Sequence, residues 1–418
     1  MQKTLSGILP ALRDKFAHIA TCPYQGDRVF FENAGGALTL KSVVETSSQF
    51  AAMPDNQGRD NPASHALVGV ITQAKADMRL FFNAPEGQVF TGESGTELLF
   101  RLISAACLAT HDGQVIGSTF EHPATRSACI RWAKIAGLDY ISVPHNDETA
   151  LVTAQDYARL VTPNTRVATI LHTSPVTGMG VDLVAIVKTI RAVAPDCLII
   201  VDGIQHAAHG RIDIKSYDID GYIISPYKVF SRHGYGVAWI SDRQASLPHD
   251  CLIGGPPDSW ELGTRDTGSY ATFSNVVDYF DWLGSQFTVD TDRRKRIVAA
   301  GAAIHAHEKS LTDAMLFGTG NLAGLADMPG VHIIGGASNP AREGLVSIYV
   351  DHVQSADIVS GLSDRGIRVH IRKDDHYSGN ILTPLGRKDC IRISMCHYNS
   401  NAEVSQFLAA IREIIEPA

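Results

Sequence analysis

LIIVDGIQHAAHG, residues 198–210, runs four apolar residues into an aspartate and then into a glycine turn. An unbroken apolar run, without the polar alternation of a half-exposed strand, predicts a strand covered on both faces, as in parallel sheets. Outward from it, VATILH at 167–172 is a second such run, and Leu183, Ile186, Val187 and Ile190 between the two recur at helical spacing. Strand, helix, strand predicts a right-handed crossover between parallel neighbours. QVIGST at 114–119, GYIIS at 221–225 and GVAWI at 236–240 add three more strands. SGTE at 94–97 predicts a helix start, with Ser94 as N-cap and Glu97 three places on, ahead of an apolar face of Leu98, Leu102 and Ala105.

Nearer the C-terminus the pattern changes. LVSIYV at 345–350, IRVHI at 367–371 and CIRISMC at 390–396 predict strands of a smaller sheet, and Val404, Phe407, Leu408 and Ile411 mark one face of a closing helix. The expected fold class is α/β, with a large, mostly parallel-sheet domain over residues 26–290 and a smaller α+β domain over 291–418. Residues 1–25 are expected to pack with the smaller domain. A formal net charge of -8 with no dense run of Lys and Arg argues against a nucleic-acid partner. No stretch reaches the roughly 20 apolar residues of a membrane span. The opening MQKTLSGILPALRDKFAHIA interrupts its apolar residues with charges, unlike a secretory signal, so a cytoplasmic protein is expected. The 7 cysteines stand singly at 22, 107, 129, 197, 251, 390 and 396 without CxxC spacing, which predicts no metal site and buried, reduced thiols.

Two residues carry chemistry in this frame. Asp202 closes its apolar run, which puts a carboxylate at the C-terminal edge of a parallel sheet, where α/β proteins bind ligands. Lys228 follows 26 positions later in IISPYKVFSRHGYG, directly after another apolar strand. Burial and a neighbouring cation would push such a lysine toward its neutral, nucleophilic form. The pair meets two requirements of pyridoxal 5′-phosphate (PLP): an amine for its aldehyde, and a carboxylate that keeps its pyridine nitrogen protonated and its ring an electron sink.

Strand, Asp-Gly-x-Gln, a further His, strand, Ser-x-x-Lys and a Gly-rich turn together resemble the class V aminotransferase and cysteine desulfurase family of fold-type I PLP enzymes. The resemblance runs through almost the whole chain, in FENAGGA at 31–37, TGESGTE at 91–97, EHPA at 121–124, HTSPVTG at 172–178, ELGTRD at 261–266 and IRISMCHYN at 391–399. It implies that Gly95 and Thr96 hold the cofactor phosphate at a helix N-terminus, where free N–H groups and the dipole favour an anion. It implies further that His122 stacks on the pyridine face, Asp202 pairs with its nitrogen, Gln205 hydrogen-bonds the 3-hydroxyl, Ser225 reaches the phosphate and Lys228 is the Schiff-base lysine. Arg392 matches the arginine that forks onto the substrate's α-carboxylate. Thr264, in the Gly-Thr pair of ELGTRD, matches a residue that reaches the phosphate of a second subunit, so a homodimer with composite sites is expected.

The chain departs from the family pattern in three places. Pro175 stands where the family has Asn beside the cofactor's hydroxyl, which leaves that work to Gln205 or another residue. Tyr227 precedes the lysine where many relatives have His, and its hydroxyl is open to hydrogen bonding, acid–base work or packing. On the loop where cysteine desulfurases carry a nucleophilic Cys, this chain has His376, Tyr377 and Ser378, and Cys390 and Cys396 are expected to be structural. The implied activity begins with removal of the α-proton of an amino acid by Lys228, with Asp202 and His122 as the other catalytic residues and Arg392, Tyr227 and His376 as substrate contacts. A desulfurase-like β-elimination of the C–S lyase type, without a persulfide, follows from the resemblance. Transamination and racemisation or epimerisation are the alternatives, and retention of both Asp202 and Lys228 argues against a non-catalytic binding module. The role implied for Thr264 has a direct test: mixing a Lys228→Ala chain with a Thr264→Ala chain is expected to restore part of the activity lost in each. Full activity in a demonstrably monomeric preparation would defeat it.

Overall fold

The computed structural model describes residues 4–416. Seven strands form its main sheet: β1 (Gln88–Gly92), β2 (Gln114–Ser118), β3 (Asp139–Val143), β4 (Thr165–Leu171), β5 (Leu198–Asp202), β6 (Gly221–Ile224) and β7 (Gly236–Ile240). They lie side by side in the order β1-β7-β6-β5-β4-β2-β3. Strands β2 to β6 pair in parallel, and β7 runs antiparallel between β6 and β1. Parallel pairing needs long crossovers, and helices supply them, among them α1 (Gly95–Leu108), α2 (Pro123–Ala136) and α3 (Leu183–Val193). The apolar runs of β5 and β6 are buried from Ile199 to Val201 and from Tyr222 to Ile224. Each such side chain contributes about 1.5–3 kcal/mol on burial, so a register slip that exposed them would be costly.

Helix α1 begins where the sequence places it. Ser94 accepts the Glu97 N–H at 3.1 Å, but Glu97 turns its own carboxylate to the N–H of Glu93, also at 3.1 Å, so half of the expected capping box forms. Gly236 of β7 passes so close to this turn that a Cβ on it would sit 2.5 Å from the Ser94 carbonyl carbon.

The second sheet is antiparallel: β8 (Val331–Ile333), β9 (Leu345–Val350), β10 (His370–Lys373) and β11 (Asp389–Ser394), in the order β8-β9-β11-β10. The expected strand IRVHI is two strands. Ile367–Arg368 pairs in parallel with Val29–Phe30, and after Val369 the chain starts again as β10 against β11. Likewise β11 ends at Ser394, whose N–H and hydroxyl both turn to the Phe31 carbonyl, so Cys396 lies beyond the strand. Helices α4 (Arg293–Phe317) and α5 (Asn401–Ile415) pack Leu311, Met315, Phe407 and Leu408 into the core of this sheet.

All 7 cysteines are free. Five are buried as expected, whereas Cys22 is half-buried and Cys251 is exposed, in an irregular stretch that joins neither sheet. Among the described residues no helix is long and apolar enough to cross a membrane.

One buried polar contact ties the second sheet's approach loop to the main sheet. The Glu343 carboxylate accepts the Thr173 hydroxyl at 2.7 Å and lies 3.1 Å from His206 Nδ1, whose ring stacks on His172 at 3.6 Å. Burial alone would push the Glu343 carboxyl up, but His206, with His172 and Thr173, holds it at about 2. Because its folded value is depressed, Glu343 stabilises the fold above the ordinary carboxylate range, and that stability is lost as pH falls through about 4.5 toward 2. Denaturant unfolding of wild type and Glu343→Gln is therefore expected to differ by about 3 kcal/mol at pH 7, the gap closing as pH falls below 4.5. A gap that stays constant with pH would refute the assignment.

Candidate active site

Strands β1, β2, β4, β5 and β6 all point one way, so their C-terminal ends share one edge of the sheet. The turns leaving that edge bring Thr96, His122, Pro175, Gln205, Ser225, Tyr227 and Lys228 around Asp202, and together they line one cavity. The register sets Asp202 beside Leu171 on one side and Ile223 on the other. Lys228 comes five residues after Ile223, in a short 3-10 turn at Pro226–Lys228 that folds its side chain back over the edge.

The Lys228 Nζ donates to Gln205 Oε1 at 3.1 Å. Burial, then Arg392, pushes its amine down to about 7, with Arg372 adding to the effect and Asp202 opposing it. An amine that is half neutral near pH 7 is both nucleophile and base. Asp202 accepts the Ile204 N–H at 3.1 Å and the Thr125 hydroxyl at 3.2 Å, and burial raises its carboxyl. Beside it, Glu121 is fully buried and is pushed up to about 8 by burial and then by Asp202. Glu121 therefore keeps its proton at neutral pH and leaves the negative charge to Asp202. His122 caps α2, its Nδ1 accepting the Ala124 N–H at 3.2 Å. Burial, Lys228 and Arg372 push it down to about 3, so it presents a flat, neutral ring.

The parts fit PLP on independent grounds. Gly95 opens α1 hard against Ser225: a Cβ there would stand 2.4 Å from Ser225 Oγ and 2.6 Å from Ile204 Cδ1. The first N–H groups of a helix have no partner within it, so Gly95, Thr96 and Ser225 could hold an anion between them. The Arg392 guanidinium donates to the Pro175 carbonyl at 2.9 Å while its buried Nε has no partner. Burial, then Arg372, lowers Arg392 to about 9. Pro175 thus serves through its backbone, as the anchor of Arg392.

Other expected residues fall differently. Thr264 is exposed on a loop outside the cavity. Tyr227 lines the cavity and stacks on His233, ring centres 4.3 Å apart. His376 is exposed and does not line the cavity; its ring packs at 4.1 Å on Tyr377, whose ring comes to 6.1 Å from His122. The residue of this segment that turns inward is Arg372, which no sequence motif marks and which donates through Nε to the buried Ser378 hydroxyl at 2.7 Å. No cysteine lines the cavity among the described residues. Burial pushes the Cys390 thiol up to about 12 and Cys396 well above its ordinary value. Glu308, Cys396 and His397 bring ligand-type atoms within 4.8 Å of one another, but His397 is engaged by the Tyr279 hydroxyl at 2.5 Å and Glu308 by His209 at 2.7 Å.

A buried lysine and carboxylate at the C-terminal edge of a mostly parallel sheet, beside a helix start, are the arrangement of a fold-type I PLP-dependent enzyme. The aminotransferase class-V family model matches residues 29–407, and the chain belongs to that family. A cysteine desulfurase-like protein, ustD, of Aspergillus flavus is 27% identical over 93% of this chain and 88% of its own length. A probable cysteine desulfurase of Borreliella burgdorferi is 21% identical over 93% of this chain and 92% of its own. The crystal structure of the cysteine desulfurase CsdA from Escherichia coli superposes with a TM-score of 0.77 at 22% identity, covering 98% of each chain, which establishes the likeness of fold.

Lys228→Ala is expected to lose borohydride-fixable cofactor and at least 100-fold in rate, the low end of what a positioned acid–base group supplies. Asp202→Ala is expected to keep some cofactor yet turn over far more slowly. Visible absorbance before and after borohydride, with steady-state rates, checks both; normal turnover in either variant overturns its assigned role.

Proposed function

We propose that the protein is a cytoplasmic PLP enzyme that removes the α-proton of an amino acid and expels a β-substituent, as a C–S lyase does, without forming a persulfide. The observation that carries the reading is Lys228, its amine brought near neutrality beside Asp202 in a cavity without a thiol. When bound, PLP supplies an aldehyde for amino groups and a ring that takes up the electron pair left at Cα. Asp202 holds a protonated pyridine nitrogen, the neutral His122 ring covers the face, and Gly95, Thr96 and Ser225 hold the phosphate. Arg392 grips the α-carboxylate by its free guanidinium edge, Gln205 faces the 3-hydroxyl, and Tyr227 closes the cavity wall. Thr264 completes the phosphate site of a second copy of the chain. Lys228 takes the α-proton at Nζ and can return it to a product.

Sulfur transfer to the protein needs a thiolate. The loop where the family keeps its cysteine has Ser378 committed to Arg372, and Cys390 and Cys396 are buried with raised thiols. Elimination is preferred to transamination because the relatives above carry desulfurase names, and their substrate class is carried to this chain only as a proposal. The test is incubation of the holoenzyme with cysteine and a panel of other amino acids in D2O. Exchange of the α-hydrogen is expected for accepted substrates, and cysteine is expected to give sulfide, pyruvate and ammonia in equal amounts. Mass spectrometry should find no added sulfur atom on the protein; an added sulfur on Cys390 or Cys396, with activity lost in the matching Cys→Ser variant, would overturn the persulfide-free reading.

A further inference from the structure

Behind the cavity, hydrogen bonds continue from Lys228 into the protein. Lys228 Nζ donates to Gln205 Oε1 (3.1 Å), the Gln205 amide nitrogen lies 3.1 Å from His209 Nε2, and His209 Nδ1 lies 2.7 Å from Glu308 Oε2. All four residues are buried. Gln205 and His209 belong to the turn after β5, but Glu308 comes from the middle of α4 and its second oxygen has no partner. Gly344 makes room for the contact: a Cβ on it would lie 3.1 Å from both Glu308 Oε2 and His209 Nδ1. The groups facing His209 are Glu308 from α4, Glu343 from the loop before β9, Lys228 from the turn after β6 and His397 from beyond β11.

We propose that the His209–Glu308 pair is a positioning element that decides which end of the Gln205 amide faces the Lys228 nitrogen; it rests on the PLP reading above. Donor counting carries the argument. With Oε1 accepting from Lys228, the amide N–H points at His209 Nε2, which must then be a bare lone pair, with the ring's proton on Nδ1 toward Glu308. When the ring gains a second proton, Nε2–H meets amide N–H, two donors facing each other. The amide must then turn end for end, since its ends are nearly isosteric, and its N–H points at Lys228, which accepts only as a neutral amine. A charged His209 therefore goes with a neutral Lys228, and a neutral His209 with a charged Lys228. Burial opposes a proton on His209, but Glu308 outweighs it and raises the ring's affinity for one. Glu308, distant from the chemistry in sequence, thus pulls the amide away from the orientation held here, with Oε1 toward Lys228, and toward the one that keeps the lysine nitrogen free of its proton.

The holoenzyme's visible cofactor band titrates with the proton on the nitrogen contributed by Lys228, so its apparent pKa is the readout. Glu308→Gln is expected to raise that pKa by ~0.5 unit or more, because the amide then offers its carbonyl to a protonated nitrogen. Glu308→Asp should restore most of the shift, and Gln205→Met, with neither amide end, should make the band insensitive to Glu308→Gln. A role limited to packing predicts a lower Tm with an unmoved band, and that result overturns the proposal. Should Glu308→Gln fail to fold, selective 15N-histidine NMR of the wild-type holoenzyme decides: a His209 ring protonated on both nitrogens at pH 7 supports the proposal, and a neutral ring sinks it. Failure to form any visible band on reconstitution would instead strike the PLP reading itself.

Discussion

Lys228 is a cation taken out of water and set among other cations, and the rest of the site depends on that arrangement. An amine with an ordinary value of 10.5 comes down to about 7 because water is excluded and Arg392 and Arg372 stand nearby, against the single opposing charge of Asp202. Water is excluded because β5 and β6 are parallel neighbours covered on both faces, and their register brings the turn carrying Lys228 over Asp202. Parallel pairing is itself the reason acid and amine share an edge, since both strands end on the same side of the sheet.

The negative charge is rationed in the same way. Two carboxylates side by side in low dielectric cannot both ionise; both are fully buried and hydrogen-bonded, but Glu121 is pushed to about 8 by burial and by Asp202, while Asp202 alone has the nearby Lys228 to lower it. The second Glu121 oxygen is buried without a partner, tolerable for a protonated acid and expensive for an anion. His122 follows the same logic from the other side, for a ring held neutral can lie against an aromatic cofactor without adding a further cation beside a lysine already lowered by two guanidiniums.

What the sequence disclosed were the residues whose roles are written locally. Asp202, Gln205, Ser225 and Lys228 each follow an apolar run by a few positions, and Ser94 caps α1 with the signal that marks it in the chain. Residues that act across long separations left no such trace. Glu308 reaches His209 from 99 positions away, and Arg372 turns inward because β10 pairs with β11, whereas the sequence pattern made IRVHI one strand and pointed to His376 in the loop beyond. The break at Val369 is not encoded in apolar periodicity; it arises because Val29–Phe30 captures Ile367–Arg368 first, and only then does the chain switch partners. Pro175 was legible as a departure but not as a solution, since what it contributes is a carbonyl that any residue carries.

The second sheet's contribution to the site is therefore charge and not shape. Arg392 and Arg372 lie on β11 and β10, whose register sets Arg392 opposite His370 and Arg372 opposite Cys390, so residues two apart send both guanidiniums to one face. Neither arginine has a carboxylate within salt-bridge distance among the described residues. Glu32, near enough to Arg392 to raise it, spends its oxygens on Arg368 and His370 instead. Arg392 is buried and Arg372 half-buried, and guanidiniums so placed without protein counter-ions are costly to keep. Hydrogen bonds to the Pro175 carbonyl and the Ser378 hydroxyl offset part of that cost, and an anion placed against the bare Nε of Arg392 would offset more. Such an anion would also remove part of the positive field that lowers Lys228, and so would make the lysine a stronger base.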